Sequence, residues 1–77
     1  MKKILIFEYI TGGGLIDKNI NHNLFDEANI IIRSLIDNSS ITTHFFCDYR
    51  NKYKNHKNSI LVTPNNKNII YDTNLIN

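Results

Sequence analysis

The chain has a single cysteine, Cys47, so no disulfide can form within it, and no zinc-ligand spacing accompanies that cysteine. A small chain without disulfide or zinc signatures reads as cytoplasmic. Long hydrophobic runs are also missing. Met1-Lys2-Lys3 followed by Ile4-Leu5-Ile6-Phe7 imitates the start of a signal peptide, but Glu8 breaks the apolar run at once. The segment is too short for a signal-peptide core or a membrane span, and a strand is the better reading. Charge of one sign is scarce as well: the formal net charge is +2, too little to dictate a nucleic-acid or membrane partner. At 77 residues the chain has material for one small domain, 1–77, and little room for a pocket walled on every side.

What is present is apolar residues at 42%, charged residues at 21%, and a heavy use of Asn and Ile that weakens any single Asn or Lys as a functional signal. Lys3-Ile4-Leu5-Ile6-Phe7 reads as a strand buried on both faces, as in a parallel sheet. Thr11-Gly12-Gly13-Gly14 ends it, because glycine opens backbone angles closed to other residues. Leu24, Ala28, Ile31, Ile32 and Leu35 then fall on one stripe of a helix. Asn23 is its expected N-cap, with acidic residues in the first turn, and Asn38-Ser39-Ser40 stops it. A second strand covers Ile41 to Cys47, and a loop with room for a short helical turn covers Asp48 to Asn58. A third strand covers Ser59 to Thr63. Asn68 to Asp72 is either a strand or an extended approach to a second helix beginning at Asn74. The fold expected is α/β: a small Rossmann-like parallel sheet of three to four strands with one main helix, cut in mid-domain.

Several motifs carry chemistry. The glycine run stands where backbone N–H groups can meet a ligand. It lacks the Gly-Lys-Ser/Thr of a P-loop, and about ten residues separate it from the helix, too many for a dinucleotide fingerprint. Glu8 sits at the carboxyl end of the first strand, where open α/β sheets bind ligands. It can hold an amine, order the glycine loop, or simply reach solvent. His44 and Cys47, three apart on a strand, point to opposite faces and make a poor metal pair. The tract Tyr49 to Lys57 interleaves aromatics with basic residues, as stacking platforms for single-stranded nucleic acid do; a solvated loop in a Lys- and Asn-rich chain reads the same way.

Lys3-Ile4-Leu5-Ile6-Phe7-Glu8-Tyr9-Ile10-Thr11-Gly12-Gly13-Gly14-Leu15 resembles the opening of a group of ATP-grasp ligases that includes the tyramine–glutamate ligases. Leu24-Phe25-Asp26-Glu27-Ala28 is similar to the Leu-x-x-Glu-Gly of that group, with Ala28 in place of Gly. Arg33-Ser34-Leu35 and the Asp48-Tyr49-Arg50 step continue the likeness, which covers roughly Lys3 to Arg50. The resemblance implies a pre-ATP-grasp lobe, the substrate side of a carboxylate–amine ligase working through an acyl phosphate. It implies a cleft-facing segment of Glu8, Tyr9, Thr11, Gly12, Gly13 and Gly14, with Glu27 helping to fix the loop. ATP and magnesium are implied for the complete enzyme, on an ATP-grasp portion supplied in cis or in trans. No catalytic or metal-binding residue is expected in these 77 residues, which would be inert alone. Self-association through uncovered sheet surface is expected; a membrane partner is not, and nucleic acid is the alternative.

Overall fold

The computed structural model describes residues 2–71, with side chains through Ile69. Strand β1 (Lys2–Ile6) leads into a long turn, then helix α1 (His22–Ile36) and strand β2 (Ile41–Asp48). A short 3-10 helix (Lys52–Asn55), strand β3 (Ser59–Val62) and a second 3-10 helix (Lys67–Tyr71) follow. The three strands form one parallel sheet in the order β1-β2-β3. This is the expected α/β arrangement, with three strands among the described residues.

The central strand is β2. Its alternation sends Phe45 and Cys47 to one face, where Ile32 of α1 completes a buried cluster joined by Ile6, Ile36 and Tyr53. Phe46 faces the other way and packs with Val62 and Ile16, supported by Leu5, Ile60 and Ile69. Isoleucine and phenylalanine thus fill both sides, but among the described residues only one side has a long helix over it. On the other, the segment after β1 is the cover.

Four expectations change. β1 is not buried on both faces: among the described residues it lies at the sheet edge, with Lys2 and Lys3 exposed and Ile4 to Ile6 half-buried. α1 is capped by Asn21 instead of Asn23; the Asn21 side chain accepts from the Asn23 N–H at 3.0 Å, and the first turn holds no acidic residue. The buried stripe of α1 is Phe25, Ala28, Asn29 and Ile32, so Leu24 and Ile31 of the expected stripe are exposed. The helix has rolled toward the 3-10 segment because Asn29 is bonded there. Last, Lys67–Tyr71 is a 3-10 helix where a strand or extended run was expected for Asn68 to Asp72. Asn66 starts it, its Oδ1 accepting from the Thr63 N–H at 2.6 Å and its Nδ2 donating to Leu61 O at 3.0 Å. Asp72 and the second helix expected from Asn74 lie outside the described residues.

Candidate functional site

The glycine turn is built from backbone bonds. The Gly12 N–H donates to Glu8 O at 2.7 Å and the Gly14 N–H to Tyr9 O at 2.8 Å. The Glu8 carboxylate turns inward, and its Oε1 accepts from the Thr11 N–H at 2.7 Å. Of the roles open to Glu8, ordering the glycine loop is the one this geometry uses. Gly13 has φ +99°, and a Cβ there would stand 2.6 Å from Val62 Cγ1. The turn therefore needs glycine for two reasons at once: a left-handed backbone and direct contact of main chain with the sheet.

A second set of groups holds the far half of the turn. Asp48 ends β2 fully buried, and its N–H donates to Thr11 O at 2.6 Å. Its carboxylate takes Arg50 in a two-point pair, Nε to Oδ1 at 3.0 Å and Nη2 to Oδ2 at 2.8 Å. The same guanidinium donates to Lys18 O at 2.6 Å and Leu15 O at 2.9 Å. Arg50 thus ties the loop to the end of the central strand, and the Asp48 bond holds its proton still more firmly than usual. Beside it the Asn29 and Asn51 amides bond each other reciprocally at 2.7 and 2.9 Å, both buried, joining α1 to the segment after β2. Asn-rich composition hid this pair; two amides with no sequence motif between them give no signal until the fold brings them together.

Two hollows flank the loop. One, about 370 Å³, is lined by Phe7, Tyr9, Gly13, Gly14, Ile16 and the Asp17–Lys67 ion pair at 2.7 Å, with Asn68. The other, about 190 Å³, lies between α1 and the first 3-10 helix, with His22, Asp26, Arg50 and Lys52 among its walls. Of the expected site residues, the first hollow collects Tyr9, Gly13 and Gly14. Glu8, Thr11 and Gly12 lie behind it as the frame of the turn. Glu27 stands exposed on α1, and the groups that fix the loop are Asp48 and Arg50. Thr11 Oγ1 is buried and finds no partner among the described residues.

Set against protein-family models, curated proteins and solved structures, the chain matches none.

Cys47 is fully buried, and desolvation, reinforced by the neighbouring Asp48 charge, pushes its thiol up to about 11. A thiol so held is no nucleophile at neutral pH. Among the described residues no three His, Cys, Asp or Glu side chains come together as a metal site. No helix among them is long and apolar enough to cross a membrane. The aromatic rings of the 49–57 tract are engaged locally, Arg50 over Tyr49 at 5.6 Å and Lys52 over Tyr53 at 5.4 Å.

Proposed function

We propose that the chain is the N-terminal substrate-side lobe of a cytoplasmic ATP-grasp carboxylate–amine ligase, inert alone and completed by an ATP-grasp portion in cis or in trans. The reading rests on the likeness of Lys3 to Arg50 to that group. The observation that carries it is the turn at the carboxyl end of β1, where Tyr9, Gly13 and Gly14 line a hollow of about 370 Å³. Ligands of open parallel sheets collect at that end. An aromatic wall beside a glycine main chain suits a small acid or amine with an apolar body.

The hollow does not fit ATP or magnesium. Among the described residues its only charged side chains, Asp17 and Lys67, neutralise each other, and they offer no cluster of carboxylates or cations. Both would belong to the ATP-grasp portion. The contribution of this chain is to bind and orient the acceptor: Glu8 and Asp48 hold the turn, and the turn holds the wall. The alternative, a nucleic-acid module on Tyr49 to Lys57, is disfavoured because Arg50 is committed to Asp48 and to two loop carbonyls.

The test is an amide chemical-shift titration with glutamate, tyramine and magnesium–ATP. Saturable shifts at Tyr9, Gly13 and Gly14 with the acid or the amine, in the millimolar range natural to a half-site, are expected. Magnesium–ATP should leave the spectrum unchanged. Shifts confined to residues 49–57 with a single-stranded oligonucleotide, or none with either small ligand, would reject the reading.

A further inference from the structure

The hollow of about 190 Å³ between α1 and the first 3-10 helix shares no lining residue with the one at the glycine turn. Three basic residues of the 49–57 tract line it: Arg50, Lys52 and Lys54. Their charges are not equivalent. Arg50 is balanced by Asp48, and it spends Nε, both Nη2 hydrogens and one Nη1 hydrogen on Asp48, Leu15 and Lys18. The second Nη1 hydrogen is left over. Lys52 and Lys54 are exposed, and no ion pair among the described residues engages either. Buried beneath them, the Asn29 and Asn51 amides each spend one Nδ2 hydrogen on the other. Asn29 is 3% exposed and makes no other side-chain hydrogen bond among the described residues, so its second Nδ2 hydrogen has no acceptor. A buried donor left in that condition costs stability until an acceptor arrives.

Two ammonium groups, a guanidinium hydrogen and a buried amide hydrogen are donors that one small anion with several oxygens can satisfy together. One wall carries the opposite sign. Asp26 is exposed there, and among the described residues its carboxylate has no ion pair and accepts no side-chain hydrogen bond. A fully ionised oxyanion meets repulsion from it, whereas an oxyanion that keeps a proton can donate that proton to it. We propose that this hollow binds inorganic hydrogen phosphate. Its P–O–H donates to Asp26, and its remaining oxygens accept from Lys52, Lys54, Arg50 and the Asn29 amide. Sulfate and phosphodiesters have no such proton near neutral pH. Phosphate monoesters lose theirs above about pH 6, and the phosphates of magnesium–ATP carry metal in its place. Charge on the 49–57 tract thus serves a small mineral anion, and Asp26 sets it against a nucleic-acid backbone.

The test is an amide chemical-shift titration of the 77-residue chain with sodium phosphate, sodium sulfate and glycerol phosphate. It is run at constant ionic strength and about pH 7.5, where the monoester has lost its proton. Phosphate should give saturable shifts at His22, Asp26, residues 50–54 and the Asn29 side-chain amide, with a Kd of about 1 mM, and leave Tyr9, Gly13 and Gly14 still. Sulfate and glycerol phosphate should bind about tenfold more weakly. Asp26→Ala should bring the phosphate-to-sulfate ratio toward one, chiefly by admitting sulfate. Lys52→Ala and Lys54→Ala should each weaken phosphate about threefold. All three side chains are exposed, so these variants keep the fold. A chain whose spectrum phosphate leaves unmoved overturns the proposal. So does sulfate binding as tightly as phosphate, a ratio indifferent to Asp26→Ala, or a phosphate Kd indifferent to both lysine changes.

Discussion

The two faces of the sheet are closed by different means. Over Phe45 and Cys47 lies α1, and the seal is volume: Ile32, Ile36 and Ile6 against aromatic and thiol. Over Phe46 and Val62 lies a turn with little side chain to give. There the seal is a glycine backbone set on Val62, one inserted Ile16, and polar bonds from Glu8, Asp48 and Arg50. Helix packing spreads its energy over many small contacts and tolerates loss of a methylene. A backbone cover depends on a few bonds and one tight approach, so it should be brittle. The same arrangement leaves the main chain at the rim of a hollow, where side-chain cover would have filled it.

The sharpest way to break the contrast is Asp48→Ala. It strands Arg50, the donor to the Leu15 and Lys18 carbonyls, and should cost about 4 kcal/mol in urea unfolding, as removal of one partner of a buried ion pair does. Arg33→Ala, breaking an exposed pair on α1, should change stability by about 0.5 kcal/mol or less. Equal costs would erase the distinction between the two faces. Gly13→Ala should follow at about 3 kcal/mol, from a left-handed backbone and the approach to Val62. Combined with Val62→Ala it should be markedly less than additive, since the second change removes the atom the new Cβ meets.

On the helix side the test is alkaline. The folded Cys47 thiol titrates near 11, against 9.0 for the unfolded group. Its contribution to stability is therefore whole below pH 9 and is lost as pH rises through 11, on the order of 2 kcal/mol. A urea-midpoint series should show this fall and Cys47→Ala should flatten it. The smallest effect belongs to Thr11→Val, which removes at nearly constant shape a hydroxyl with no partner among the described residues. It should leave stability unchanged or raise it by about 1 kcal/mol.

How far the sequence revealed this follows from the same physics. β1, β2 and β3 were legible as short apolar runs, and α1 as a 3.6-residue period, because apolar burial writes itself into spacing. The orientation of α1 was not, because Leu24 and Ile31 are apolar yet exposed while the polar Asn29 is buried. A hydrophobicity pattern cannot rank those positions when the deciding bond goes to Asn51, 22 residues on. The strand or extended run expected from Asn68 gave way to a 3-10 helix for a local reason, the Asn66 side chain bonding back to Thr63 and Leu61. At the candidate site the glycine turn was found by its composition. The clamp on it was visible only as a family likeness in Asp48-Tyr49-Arg50, since nothing local says that Arg50 reaches back to residues 15 and 18.

Amide hydrogen exchange weighs the central claim most directly. With the turn built into the core, the N–H groups of Thr11, Gly12, Gly14 and Asp48 should exchange as slowly as those of β2, opening only with global unfolding. Exchange of those four within about tenfold of an unstructured chain, while β2 stays protected, would show the turn to be an ordinary loose loop and remove the frame on which the candidate site stands.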